Sequence, residues 1–440
     1  MTVQAYVDAF QAFAADHGRK PAWLLPVRQA AIDRFRKHGF PTTHDEDWHF
    51  TSVAPIAGAD FVPVATGGGD IRAADLEAFS FGQTEWTQLV FVNGRYAPEL
   101  SSKGTLPRGV EVRSLADALR DDVPLVRERL TSLAALDHGA FVALNTALFV
   151  DGAFVSIPAD TIVEYPIHLL FVTDGDAAST ASHPRNLIVA GRNAQATIVE
   201  SYAAVGDPMY FTNPVTEVVV AENAHVTHLR MQRESERAFH VGTTQAHQAR
   251  HSRYTSFSFA TGAALSRMNI YTVLAEPGAE VTLNGLYMAD GTQHLDHQTR
   301  IEHIAPNCTS HEVYKGVLDG AAHAVFNGKV YVHPEAQKTD GKQTNNNLLL
   351  SPDAHVDTKP QLEIFADDVK CTHGATVGQL DEVALFYLRS RGLALEEATT
   401  LLTYAFAADV VQRIDDLTVR AGLEALARER FVGAMPASVG

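Results

Sequence analysis

The chain is poor in sulfur nucleophiles: 440 residues contain two cysteines, Cys308 and Cys371. Two thiols cannot build a disulfide framework, and they cannot by themselves supply the four ligands that close a metal shell. Long apolar runs are also missing, and nothing approaches the roughly 20 residues needed to cross a bilayer. Basic residues are outnumbered, with 35 Lys and Arg against 52 Asp and Glu and a formal net charge of −17. Such a chain has no electrostatic footprint for nucleic acid, which removes DNA and RNA as main partners. Gly328-Lys329 runs into Val330 and Gly341-Lys342 into Gln343, so neither completes a P-loop. H-E-x-x-H, G-x-S-x-G and C-x-x-C are absent too, and most familiar enzyme classes lose support. The first 20 residues include Asp8 and Asp16 and have neither a secretory apolar core nor an acid-poor transit pattern. The expectation is a cytoplasmic protein.

What is present is the composition of a globular protein, 46% hydrophobic and 20% charged. Periodicity divides it into residues 1–139, 140–378 and 379–440. In the first part Tyr6, Phe10 and Phe13 recur at helical spacing, as do Ile32 and Phe35, before Gly39 and Pro41 mark a stop. A mixed stretch follows, with a glycine run at Gly67-Gly68-Gly69, an apolar run from Leu89 to Val92, and a predicted helix from Ser114 to Leu136 interrupted by Pro124. From 140 to 378 short alternating runs, such as Thr216 to Val220 and Lys329 to Val332, are separated by Gly, Asn, Asp and Pro, which is the pattern of strands and turns. After Gln379 the helical period returns. Leu380, Val383, Ala384, Tyr387 and Leu388 share one face, Gly392 suits a helix end, and Ala394 to Ile414 and Leu417 to Phe431 read as two more helices.

A small motif recurs in the strand region: a turn residue, an alanine, a variable residue, then Val or Ala. Copies stand at Asn193-Ala194, Asn223-Ala224, Gly278-Ala279 and Asp353-Ala354, with a looser one at Gly320 to Ala324. Gly, Asn and Asp tolerate left-handed backbone angles, and a small alanine fits a tight inward corner before the next strand begins. A coil turning corners, with loops of uneven length, would write this pattern. An antiparallel sandwich with similar turns would write it as well.

Histidine is abundant, with 20 in all. His294, His297, His303 and His311 can be drawn with Cys308 as a metal cluster, but strand histidines without tight ligand spacing are more simply a solvated face. Cys371-Thr372-His373 differs. Residues two apart on a strand point to the same side, so this thiol and imidazole can address one ion. Lys370 should lower the thiol pKa, and Asp367 and Asp368 should oppose it. A packed cysteine beside a solvated histidine is the competing account.

From Gly316 onward the chain strongly resembles the SufB/SufD family of iron–sulfur cluster assembly proteins. The residues that carry the likeness include Tyr314-Lys315-Gly316, Phe326-Asn327-Gly328-Lys329, Ala336 to Asp340, Asn345 to Leu350, Pro360 to Ile364, Ala366 to Gly374 and Phe386 to Gly392. It extends more weakly through the strand region to Gly39-Phe40-Pro41 and Asp47-Trp48, so it covers most of the chain. Few cysteines and the Cys371-x-His373-Gly374 form make it look like the SufD side of the pair. The resemblance implies a mainly β protein, a right-handed parallel β-helix with helical N- and C-terminal domains. It implies a non-catalytic scaffold that pairs with a SufB-like subunit through the β-helix. Residues 379–440 would meet a SufC-like ATPase, in a complex of one B, two C and one D. It further implies that His373 helps build a transient cluster at the interface, with Cys371 as a nearby metal-reactive thiol. Flavin use stays open.

Two other classes remain. A β-helix enzyme acting on polysaccharide would need carboxylates such as Asp290, Asp296 and Asp319 lining a groove. A purely structural reading makes the chain a spacer that pairs with itself as a homodimer.

Overall fold

The structure is a computed structural model that describes residues 2–16, 21–63, 70–175 and 179–431. The glycine run Gly67 to Gly69 lies outside the described residues. The N-terminal part carries helices α1 (Val3–Asp16), α2 (Leu24–His38) and α3 (Ala54–Gly58). Strands β1 (Val62–Pro63), β2 (Thr87–Val92), β3 (Arg95–Tyr96) and β4 (Glu111–Ser114) follow, then helices α4 (Leu115–Arg120), α5 (Pro124–Arg129) and α6 (Ala140–Leu148). Gly39 ends α2 at φ 69° with its N–H on the Phe35 carbonyl. The helix expected across 114–136 is instead two single turns. Ser114 caps the first, accepting from Asp117 N–H, and Pro124 opens the second. Beyond it the N–H groups of Thr131, Leu133 and Ala134 point at the Glu217 carboxylate rather than up a helix. Helix α6 falls inside the stretch read as strand and turn. It is buried on every side, with eight of its nine residues buried, so it shows no amphipathic period.

Eighteen further strands follow: β5 (Ala153–Ile157), β6 (Ile167–Thr173), β7 (Thr180–Ser182), β8 (Arg185–Ala190), β9 (Gln195–Ala204), β10 (Phe211–Thr212), β11 (Val215–Val220), β12 (His225–Arg233), β13 (Phe239–Gln248), β14 (Arg253–Ala260), β15 (Leu265–Leu274), β16 (Glu280–Ala289), β17 (His294–His303), β18 (Thr309–Leu318), β19 (His323–Val332), β20 (Asp340–Leu349), β21 (His355–Ile364) and β22 (Lys370–Gly378). They wind as eight two-strand turns, β5/β6, β8/β9, β11/β12, β13/β14, β15/β16, β17/β18, β19/β20 and β21/β22, so that alternate strands stack in two parallel sheets. This is a parallel β-solenoid, and the sandwich alternative is excluded because the long strands pair in parallel with the turn before and after.

The corner motif is what lets the coil close. Asn193, Asn223, His251, Gly278, Asn307 and Lys338 all have φ between 54° and 75°. Each precedes a small inward residue: Ala194, Ala224, Ser252, Ala279, Cys308 and Thr339, every one essentially buried. The strands that follow stack in register. The motif therefore has more members than alanine revealed, because Ser, Cys and Thr fit the same corner. Cys308 belongs to this structural series.

The apolar interior runs from Leu89 to Ala366. Helices α1, α2 and α6 cover the outer face of the larger sheet through Phe211, Phe239, Val241 and Leu265. On the other side, after α7 (Glu382–Ser390), helices α8 (Leu395–Val411) and α9 (Leu417–Phe431) bury Ala407, Val410, Val411, Val419 and Leu423 on the outer face of the smaller sheet. Lys315 on β18 joins them by donating to the Phe406 carbonyl at 2.9 Å and pairing with Asp409 at 2.7 Å.

Arg185 and Glu217 form a fully buried ion pair at 2.6 Å, and Asn145 and Thr146 of α6 accept from the guanidinium Nη1. Removing one partner strands the other in a dry site. Glu217→Ala is therefore expected to cost about 3–5 kcal/mol in urea denaturation. A loss under about 1 kcal/mol would show that the pair does not hold residues 131–134 to the solenoid.

Candidate functional site

The two ends of the solenoid differ. At the N-terminal end each sheet finishes in an antiparallel strand, β4 against β5 and β3 against β2. At the C-terminal end, among the described residues, β21 pairs only with β19 and β22 only with β20, so each sheet stops at an open edge. Strand β22 is exposed along almost all its length, and Phe365, in the turn between the two strands, is 56% exposed. Pro360, which has no N–H to give a ladder, sits on one of these edge strands.

Cys371 and His373 lie on β22, as the spacing required. Their partners across the ladder are Gly341 and Gln343, both buried residues facing the inside of the coil. Thiol and imidazole therefore point along the interior face of the last turn, where no further turn covers them. Cys371 is half-buried against the apolar interior, and His373 is exposed. The thiol pKa is raised, not lowered. Burial is the main cause and the Asp340 charge adds to it, while the Gly341 N–H opposes it. Of the aspartates expected to act there, Asp368 is paired with Lys338. At neutral pH the thiol is protonated unless a metal takes the proton's place.

Behind His373 the inward row continues through Gln343 to Glu312. Gln343 Nε2 donates to Glu312 Oε2 at 2.6 Å. With its amide nitrogen so held, Gln343 Oε1 is a buried acceptor with no partner among the described residues. It is one ladder step, about 4.8 Å, behind the His373 backbone. Gln343 and Glu312 are site residues that sequence reasoning missed, because only the coil register places them in line with residue 373.

Glu312 is fully buried, and burial pushes its carboxyl up to about 7, with Thr299 and Gln343 offsetting only part of the effect. Glu200, four coil turns earlier on β9 and also buried inside the coil, behaves oppositely. Burial alone would raise it, but Arg230 and His228 outweigh that and bring it to about 2. Only the unpaired glutamate is poised near neutrality.

The drawn histidine cluster does not assemble. His297 and His303 face the interior, with His303 Nε2 2.9 Å from Ser310 Oγ, while His294 faces the N-terminal part through Thr51 and His311 is exposed. Cys308 is sealed in its corner, its thiol raised by burial. Among the described residues these five form no metal-binding set. The carboxylates of a polysaccharide groove fail likewise. Asp290 and Asp319 accept from Gly291 and Gly320 N–H to close turns, and Asp296 is buried against Arg267.

Comparison with known proteins gives the family. Residues 171–406 match the family model described as SUF system FeS cluster assembly, SufBD core domain, and residues 2–169 match the SufBD protein N-terminal region. The chain belongs to the SufBD family. It is 38% identical to an iron–sulfur cluster assembly SufBD family protein of Synechocystis, over 93% of this chain and 91% of that one. It is 33% identical to the iron–sulfur cluster assembly protein SufD of Escherichia coli, over 93% of each. To the Bacillus subtilis SufD it is 28% identical over 93% of this chain and 94% of that protein. No described helix is long and apolar enough to cross a membrane.

A raised Glu312 means that the folded chain binds its proton more tightly than the unfolded chain, so this group's contribution to stability falls as pH rises from about 4.5 to about 7. His168, His183, His297 and His303, held down to about 3 or 4 by burial, work in the opposite direction and lose stability as pH falls below 6.5. Glu312→Gln removes the first slope alone. Relative to wild type, the variant should gain about 3 kcal/mol between pH 5 and pH 8 in chemical denaturation. A difference that stays flat across that range would rule out an unpaired buried carboxyl.

Proposed function

We propose that this chain is a SufD-like, non-catalytic scaffold subunit of an iron–sulfur cluster assembly complex. The observation that carries the reading is the open last turn, which presents Cys371 and His373 beside two unpaired sheet edges. Clusters take about four protein ligands, usually thiolates. With Cys308 sealed, this chain offers one thiol and one imidazole. The remaining ligands must come from a neighbour, and a SufB-like subunit docked on the open end is the economical source. Unpaired edges favour docking by strand addition or by a facing turn, as they otherwise leave ladder groups to water. The cluster is cargo here, held partly through nitrogen, which is displaced more readily than thiolate when it must be released.

A second surface supports an ATPase partner. Helix α7 buries none of its residues, and Val383 and Phe386 are 74% and 75% exposed. A SufC-like ATPase seated there would couple its closure to the open end, because α7 follows β22 after only three residues. ATP hydrolysis belongs to that partner in this reading, which fits a chain without a P-loop.

His373→Ala in the co-expressed complex should abolish iron and sulfide loading while leaving subunit stoichiometry unchanged. Cys371→Ser should reduce loading less. Unchanged iron and sulfide content in the His373 variant would refute the assignment. Phe386→Asp should weaken co-purification of the ATPase at least 10-fold without disturbing pairing at the solenoid end. Retention of the ATPase at wild-type affinity would remove α7 from the contact.

A further inference from the structure

We infer that His323, His355 and Asp357 form a second site, for a divalent transition ion such as zinc or ferrous iron. His323 opens β19 and His355 opens β21, and the two are direct partners across the ladder. Asp357 stands two residues beyond His355, on the same outward face of the strand. His323 Nε2 lies 2.8 Å and His355 Nε2 3.4 Å from one and the same oxygen, Asp357 Oδ2. The ligand atoms of all three residues lie within 4.8 Å of one another, and no other set of three His, Cys, Asp or Glu among the described residues converges in this way. Two imidazoles and a carboxylate around a tetrahedral ion would sit about 3.4 Å apart, given metal–ligand bonds near 2.1 Å. Reaching that arrangement needs only side-chain shifts: His323 and Asp357 part slightly from 2.8 Å, His355 and Asp357 already stand 3.4 Å apart, and no pair exceeds 4.8 Å. His355 is the freest of the three, with 67% of its side chain exposed, and the site opens to solvent through it.

The rest of the cluster is held in place from behind. The His294 ring meets the His323 ring edge-on at 4.6 Å. His294 Nε2 is 2.9 Å from Thr51 Oγ1, Thr51 donates to Asp296 at 2.6 Å, and Arg267 pairs with Asp296 at 2.7 Å. This chain of contacts ties the orientation of the His323 imidazole to the N-terminal part of the molecule. The donor set decides the ion. Imidazole nitrogen disfavours calcium and magnesium, which take oxygen, and the lack of thiolate disfavours copper(I). Three protein ligands leave at least one coordination position open.

The site is separate from Cys371 and His373. Strand β21 runs about 30 Å from His355 to Ile364 before the chain turns into β22, so the two sites occupy opposite sides of the last turn. The inference does not depend on the scaffold reading.

The test uses the full-length chain, stripped with chelator and titrated with Zn²⁺, and anaerobically with Fe²⁺, by calorimetry. Co²⁺ absorption reports the coordination geometry. Wild type and the Cys371→Ser/His373→Ala double variant should each bind one equivalent at this site with the same affinity. His355→Ala and Asp357→Asn should weaken it at least 10-fold, and both positions are on the surface, where substitution leaves the fold intact. Binding that survives both substitutions, or that vanishes in the Cys371/His373 double variant, would overturn the assignment. So would the absence of any stoichiometric binding to wild type.

Discussion

A parallel coil satisfies the backbone of each turn with the backbone of the next, so the whole molecule turns on how that ladder is brought to a stop. At one end the chain solves the problem internally, with antiparallel β4 laid against β5 of the first turn and antiparallel β3 against β2, which itself pairs with β6. At the other end it does not. Among the described residues, strands β21 and β22 each lack a partner on one side, and the inward row that is sealed elsewhere emerges into solvent at Cys371 and His373. The same omission that leaves polar ladder groups exposed also brings a thiol and an imidazole to the surface. A solenoid of this kind cannot present interior residues anywhere except at a terminus, because every earlier turn is covered by its successor.

The interior is also unusual in its polarity, and that polarity is graded along the coil. In the second turn, Glu200 is surrounded by Arg230, His228 and Tyr202, and the group is stable because every charge has a partner. Toward the open end, Glu312 has hydrogen-bonding neighbours but no cation, and the adjacent Gln343 keeps an unpartnered acceptor. Unpaired buried polarity is destabilising, which makes its placement directly behind His373 informative. A residue there can take up or give up a proton near neutral pH without exposing itself to bulk water.

The sequence made the strand region and its corners legible because left-handed turn residues followed by alanine are forced by local sterics. It made Cys371 and His373 legible because their spacing on a strand fixes their common side. Other features were hidden for identifiable reasons. Alanine is only one of the residues small enough for the corner, so Ser252, Cys308 and Thr339 went unrecognised as members of the series. Helix α6 is buried on all sides and shows no face. The alignment of Glu312, Gln343 and His373 depends on a register of 30 or 31 residues between turns (343 minus 312, 373 minus 343), which no local window contains. His323, His355 and Asp357 are invisible for the same reason, since 32 residues separate the two histidines that become neighbours.

The corner assignment of Cys308 sharpens the argument from scarcity. Composition counts two thiols, but the fold places one of them among alanine, serine and threonine at a position chosen for size, with its sulfur near the Glu276 carbonyl and its pKa raised by burial. A thiol in that setting is a space-filler with little tendency to ionise. The chain therefore brings a single accessible sulfur to its open end, fewer than any cluster type holds through protein ligands alone. That scarcity is a property of the surface, since the end that carries the one accessible thiol is also the end at which both sheets stop among the described residues.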